Sequence, residues 1–370
     1  MLRQRLCGKP GRRGLARPGR ACDTQTRGNW SEECAMVGGC HRAFGRPPLL
    51  IARRGLIAAG LALAYAPARS QGTWPNGPIR LVVPFAPGGT TDIMARLVGE
   101  RLQARLGVPV VIENRPGAGA TIGSLAVAQS PPDGQTLLMS NIASHAISPA
   151  LYRNVRYDPV KDFAHIAMVT VNPSVMVVNP RFEAQSLEAF IALAKARPGQ
   201  VHYATSGAGS SNHMIGVRLA LAAGLELVHI PYRGAGPAMT DVIAGVVGVM
   251  FDSLPSASAH IRAGSVRALA VSGAERSPAF PDVPTFREQG IDIVSYSWFG
   301  VSAPAGTPSA IVERLNAEIR ASIAEPAVAR RLDELGGSPR DWSPAEFTAF
   351  VEREVATWAP VVRASGATAD

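Results

Sequence analysis

From residue 74 onward, short apolar runs alternate with segments whose apolar positions recur every three or four residues. The run IRLVVPF, Ile79 to Phe85, is dense in β-branched residues and predicts a strand. A proline- and glycine-rich turn follows. Beyond it Ile93 and Leu97, widened by Met94 and Val98, mark one face of a helix. VPVVIEN predicts a second strand, TIGSLAVAQS a helix stopped by Pro131 and Pro132, and QTLLMSN a third strand. Strand, helix, strand, helix, strand is the pattern of a mostly parallel sheet with helices on both faces.

The run AHIAMVTVNPSVMVVNP is long enough for two strands interrupted at Asn172–Pro173, a break suited to a crossing between lobes. Leu187, Phe190, Ile191 and Ala194 then define a helix that Pro198–Gly199 ends. VHYATS, LELVHIPY and VRALAVSG predict strands of a second αβ unit, and SWFGVSAPAGTP the returning strand. Near the end, Ser343-Pro-Ala-Glu346 forms a capping box. It opens a helix bearing Phe347, Val351, Val355 and Trp358, which Pro360 is expected to terminate.

The fold class expected is α/β and two-lobed, each lobe a mostly parallel sheet flanked by helices. Residues 71–172 and 297–370 would form lobe 1, residues 173–296 lobe 2, and two crossover segments would join them. Ligands in such folds lie in the crevice at the carboxyl ends of the strands. VVPFAPGGTTDI and VHIPYRGAGPAMTDVI share one order of strand, Pro, aromatic, glycine turn, Thr-Asp and helix, an internal echo that suits related lobes.

Charge changes the picture less than the total of +9 suggests. Residues 1–70 hold 13 basic and 3 acidic side chains, leaving 24 basic against 25 acidic in the body. A nucleic-acid partner therefore loses its main support. Cys7, Cys22, Cys34 and Cys40 all fall before residue 71 and lack the close pairs of a zinc site. Within about residues 42–70, a basic stretch ending at Arg53–Arg54, an apolar run from Gly55 to Ala66 and small residues at Ala66, Ala68 and Ser70 have the order of a cleavable export signal. The residues upstream of it lack periodicity, and Met36 is an alternative start. The mature chain is expected to begin near residue 69–71, in the periplasm.

The turn Pro87-Gly-Gly-Thr-Thr-Asp92 can present backbone N–H groups and a threonine hydroxyl to an anion at a helix N-terminus. It also reads as a plain connector in which Asp92 satisfies first-turn donors. It lacks the Gly-Lys-Ser/Thr ending of a phosphate loop. RPGAGATIG misses the third glycine of a dinucleotide fingerprint by one position, so no nucleotide cofactor is expected. ATSGAGSSNHMIG supplies hydroxyls at Ser206, Ser210 and Ser211 and the Asn212 amide after a strand, neutral donors for a carboxylate. A nucleophile reading, Ser211 with His213 and Asp252, lacks a G-x-S-x-G elbow. His145, Arg233 and Asp252 each read either as ligand contacts or as structural groups.

Taken in order, WPNGPIRLVVPFAPGGTTDIMARL, VPVVIENRPGAGATIG, PDGQTLLM, SPALYRNVRYDPVKDF, HIPYRGAGPAMTDVIAG, VMFDSLPSASAHIRAGSVRALAVSG and SWFGVSAPAGTP resemble the Bug family, the extracytoplasmic solute receptors of tripartite tricarboxylate transporters. The resemblance covers nearly all of residues 74–370. It implies a two-lobed periplasmic binding protein of the type II kind that closes on a small solute, commonly a carboxylate, and hands it to membrane permease subunits; a monomer without catalysis, cofactor or metal is expected. Carried over by motif, the ligand-binding positions are Phe85, Ala86, Gly88, Gly89, Thr90 and Thr91 in the first lobe. Ser206, Gly207, Gly209, Ser210 and Ser211 face them, with Asn141, Ser144, His145 and Asp252 bordering the rest of the solute. Asn212, Arg233 and Ser148 depart from the commoner residues at their positions, which leaves the solute's identity open. The competing readings are a signalling receptor with the same fold and an exported Ser/His hydrolase.

Overall fold

The computed structural model describes residues 74–367. The export signal and cleavage point expected from the sequence lie outside the described residues. The strands are β1 (Ile79–Val83), β2 (Val110–Asn114), β3 (Thr136–Asn141), β4 (Phe163–Val178), β5 (Val201–Thr205), β6 (Leu227–Pro231), β7 (Val249–Ser253), β8 (Arg267–Val271), β9 (Tyr296–Pro304) and β10 (Ser338–Pro339). The helices are α1 (Thr90–Leu106), α2 (Thr121–Ala128), α3 (Ser148–Leu151), α4 (Leu187–Ala196), α5 (Ser211–Ala223), α6 (Ala235–Ala244), α7 (Leu254–Arg262), α8 (Ser309–Ala324), α9 (Pro326–Glu334) and α10 (Pro344–Ala364).

Hydrogen-bonded strands follow the order β2-β1-β3-β9-β4-β7-β5-β6, with β8 and β10 also pairing β4. The parallel neighbours are β1 with β2 and β3, and β5 with β6 and β7. Antiparallel β9 and β4 extend these groups, so the curled sheet is mixed within a two-lobed α/β architecture.

The interruption expected at Asn172–Pro173 is absent: β4 is one strand of 16 residues. Up to Pro173 it pairs with β9, and from Ser174 it pairs with β7 and β8. Pro173 removes its donor at the handover itself, where the ladder changes partner, and the next residue resumes pairing by donating Ser174 N to Ser272 Oγ at 2.8 Å.

In α1 the fully buried stripe is Met94, Val98, Leu102 and Leu106, and Ile93 and Leu97 flank it half-buried. The helix is thus rotated slightly from the face the spacing suggested. It packs with α8 over β1, β3 and β9. In the other lobe, α4 and α5 cover one face of the sheet and α6 and α7 the opposite face. The capping box at Ser343 and Glu346 is present, but Pro360 does not end its helix. Val362, 3% exposed, continues the buried stripe of Phe347, Val351 and Trp358 and anchors the turn beyond the proline. The carbonyl that loses its donor belongs to Ala356, which is exposed to solvent.

Candidate functional site

The carboxyl ends of β1, β3, β5 and β7 point toward one place, and each feeds a tight turn into a helical segment. The N-termini of α1, α5 and α7, joined by that of α6 after β6, meet around a cavity of about 30 Å³. First-turn N–H groups have no acceptor inside their own helix, so such ends favour negative charge.

The cavity wall includes Phe85, Gly89, Thr90, Thr91, Asn141, Ser206, Ser210, Ser211 and Asp252 among the residues the sequence singled out. Asn212, Ile142, Ala143, Ala235, Ser253 and Phe299 complete it. Asp252 is its sole formally charged side chain among the described residues. The other polar groups are hydroxyls and amides, suited to oxygen-rich solutes.

The first glycine turn is held from behind. Gly88, at φ 86°, takes a conformation that a side chain would strain, and its N–H donates to Asp92 Oδ2 at 3.1 Å. Arg96 donates to both Asp92 oxygens at 3.0 Å, and Asn114 Nδ2 reaches Oδ1 at 3.0 Å. Burial opposes the Asp92 charge, but the donors from Arg96, Gly88 and Asn114 prevail and hold its carboxyl below the ordinary value. Asp92 is thus the brace of the turn, while Gly89, Thr90 and Thr91 face the cavity.

This turn meets the echoing turn of the other lobe directly. Ala86 N donates to Arg233 O at 3.0 Å. A Cβ on Gly236 would stand 2.2 Å from Pro87 O, so only a glycine permits this approach. Thr90 Oγ1 donates to Ser256 Oγ at 3.0 Å and accepts from Ser256 N at 3.2 Å. Ser256 Oγ in turn donates to Asp252 Oδ2 at 2.7 Å.

Asp252 Oδ1 accepts from Ser253 N at 2.7 Å and from Asn212 Nδ2 at 3.4 Å. Burial outweighs these bonds and pushes the carboxyl up to about 7. Asn212 Nδ2 also reaches Ser206 Oγ at 3.2 Å, and Ser297 Oγ donates to Ser211 Oγ at 2.7 Å. On the first-lobe side, Asn141 Nδ2 donates to Thr91 Oγ1 at 3.2 Å.

Ala86, Gly88, Ser144, His145, Gly207 and Gly209 do not line the cavity. Ser144 exchanges hydrogen bonds with Asn141 and so positions that amide. His145 sits behind Ser144, whose Oγ lies 2.8 Å from its Nδ1. Its ring packs among Phe163, His165 and Trp298, with centroids 4.7, 5.3 and 6.1 Å away. Burial, with His165 nearby, lowers its pKa well below the ordinary histidine value. The position just past a strand end had suggested a contact, but a π-helical turn, Ala143–Ile147, carries the ring into the core instead. Gly207 O accepts from Ser210 Oγ at 2.7 Å and Gly209 O from Ser148 Oγ at 3.3 Å, so these glycines shape the serine loop from outside the wall.

Ser211 and His213 do not form a catalytic pair. His213 Nδ1 accepts from Gly209 N at 3.4 Å, and its ring stacks on His229 at 4.0 Å. Burial lowers His213 to about 4. Among the described residues, no group of three or more His, Cys, Asp or Glu could hold a metal ion.

Ser253 and Ser256 are wall and latch residues that the sequence reading passed over. Their signal was the stretch DSLPSAS, in which a Ser before Leu-Pro takes the N-cap position of a new helix with Pro255 in its first turn.

Residues 94–367 match the model of the tripartite tricarboxylate transporter family receptor. The chain belongs to this family. Among the receptor's relatives, protein BugT of Bordetella pertussis is 40% identical over 320 residues, spanning 86% of this chain and 98% of BugT. A solved R. palustris protein carrying adipate superposes with a TM-score of 0.77 at 35% identity, covering 79% of this chain and 98% of that one. MatC of Rhodopseudomonas palustris, solved with bound malate, gives a TM-score of 0.75 at 33% identity, covering 78% and 100%. Tripartite tricarboxylate receptors are solute-binding proteins of the periplasm rather than enzymes. No described helix of this receptor is long and apolar enough to cross a membrane.

Proposed function

We propose that this receptor is exported to the periplasm, binds a small carboxylate-bearing solute between its lobes and presents it to a tripartite tricarboxylate-type permease. The lobes are residues 71–172 with 297–370, and residues 173–296. The observation that carries the reading is the convergence of four helix N-termini and neutral hydroxyl and amide donors on one cavity between them. One carboxylate is held there by first-turn N–H groups of α1 and α5, that of Thr90 among them, with the hydroxyls of Thr91, Ser206 and Ser211; the Thr90 hydroxyl is given to Ser256. Asn141 and Asp252 border the remainder. The related proteins that carry adipate and malate support the same class of solute.

The solute stabilises the closed form because only that form brings both sets of donors to it. The protein works as a monomer without cofactor and performs no chemistry on the solute. Calorimetric titration of the purified protein with malate, adipate, other di- and tricarboxylates and neutral analogues tests this. Binding of a carboxylate with the amide analogue inert is expected; binding of a neutral solute alone would overturn the carboxylate assignment.

A further inference from the structure

A second recess, of about 620 Å³, lies outside the cleft, where β4 and β9 cross between the lobes. It shares no lining residue with the cleft cavity. One side comes from α10, through Phe350, Trp358 and Val361, and the other from Arg218 of α5 and the stretch Val294–Tyr296. Its size falls within the range of roughly 300–1,000 Å³ typical of small-molecule sites.

The walls are aromatic and fixed. Trp298 Nε1 and Trp358 Nε1 both donate to Glu354 Oε2, at 3.1 and 3.3 Å. Phe350 is wedged between Trp298 and Trp342, with ring centroids 5.7 and 5.2 Å away. Tyr296 and Val361 are among the most exposed large hydrophobic side chains of the described residues, at 40% and 38%. Both line this recess.

Two arginines, Arg218 and Arg340, stand in the same lining, and the acids near them are committed elsewhere. Asp292, whose charge reaches Arg218, is paired with Arg287 at 2.8 Å. Asp341, next to Arg340, is paired with Arg320. Each lining arginine spends one N–H on a backbone carbonyl, Arg218 on Val294 O at 3.0 Å and Arg340 on Pro339 O at 3.1 Å, which leaves further donors on each guanidinium. Glu354 is the recess's one acid, and its charge is already shared by two indole donors. A flat apolar ring would find face and edge contacts, and an attached anion would find cations lacking a carboxylate partner.

We propose that this recess is a second ligand site, separate from the interlobe cleft, for an aromatic carboxylate. The ring lies against Trp342, Phe350 and Trp358, and the carboxylate is held by Arg340 with Arg218.

Three of the five tryptophans of the chain line the recess, so their emission reads its occupancy. Titration of the full-length mature protein with phenylacetate is expected to give a saturable change in tryptophan fluorescence. Phenethylamine, with the same ring and the opposite charge, is expected to give none. Arg340→Gln and Arg218→Gln should each weaken phenylacetate roughly tenfold, the loss of one charge-assisted contact. Arg340 is half-exposed, so its variant keeps the fold, which near-ultraviolet circular dichroism checks. Ala235→Leu, which fills the cleft cavity, should leave phenylacetate affinity unchanged and report separately on the cleft. The proposal is overturned if no saturable change occurs at millimolar phenylacetate, or if phenethylamine binds equally well. It is also overturned if both arginine variants keep the parent affinity, or if Ala235→Leu alone abolishes binding.

Discussion

The hydroxyl of Thr90 both donates to Ser256 Oγ and accepts from Ser256 N, at 3.0 and 3.2 Å, so a single side chain of one lobe caps the first turn of a helix in the other. Because Ser256 Oγ in turn donates a hydrogen bond to Asp252 Oδ2 at 2.7 Å, the contact between lobes ends on a buried carboxyl. A bond of this kind exists only when the lobes meet, and its worth falls on the closed state.

Thr90→Val keeps the shape of the side chain and removes the hydroxyl. On closure the Ser256 N–H then loses its partner, which costs about 1–3 kcal/mol. Solute affinity should fall roughly 5- to 150-fold, while thermal stability without solute stays close to the parent. Isothermal titration and differential scanning calorimetry, run side by side, separate the two effects.

Gly236→Ala makes a stronger version of the same test. The added methyl would meet Pro87 O at 2.2 Å, a contact between lobes rather than within one. Folding of each lobe is expected to survive and closure to fail, with binding weakened by at least about tenfold. Small-angle scattering with saturating solute should show the variant remaining at its solute-free radius of gyration.

Asp252 gives a pH dependence of definite sign. Its carboxyl stands at about 7 in the folded protein against 3.8 in an unfolded chain. Between those values the folded state keeps a proton that the unfolded chain releases. This group's stabilising contribution is therefore full below 3.8 and is lost as pH rises through about 7. The buried histidines run the other way: His165 and His213 are lowered to about 4 and His229 to about 3, so their contribution is full above 6.5 and is lost on acidification through those values. Urea unfolding of the parent and Asp252→Asn across pH 5 to 8 isolates the aspartate. The variant should gain on the parent as pH rises, and a constant difference would refute the assignment. An anionic solute should also bind the parent less well above pH 7, with a flatter profile in the variant.

Pro360 sits inside α10 on its exposed side. Pro360→Ala restores one backbone hydrogen bond and should stabilise the protein by roughly 1–2 kcal/mol, read as a higher melting temperature with unchanged solute affinity.

Much of this architecture could be read from local chemistry. The glycine turn before Thr90 announced itself because strand, positive-φ glycine and helix start are written in neighbouring residues. The cavity-facing serines of residues 206–211 were legible for the same reason. What escaped depends on partners distant in sequence. Ser256 becomes a latch only because Thr90, far back in the chain, arrives beside it. His145 looked available for a ligand, yet a π-helical turn and the aromatic rings of Phe163 and Trp298 draw it inward. Pro360 carried a strong local stop signal, which the burial of Val362 overrode. Pro173 was read as a break because its missing donor matters only if a ladder partner is waiting, and at that residue none is required.

The unbroken β4 sets the mechanics of opening. One backbone serves as the partner of β9 and β10 and then, without a loop, as the partner of β7 and β8. Parting the lobes therefore has to be accommodated as torsion along an extended strand, which behaves as a leaf spring rather than a slack tether. If the lobes part, β4 has to twist about Asn172 to Ser174, where its partners change, so the hinge carries stiffness of its own.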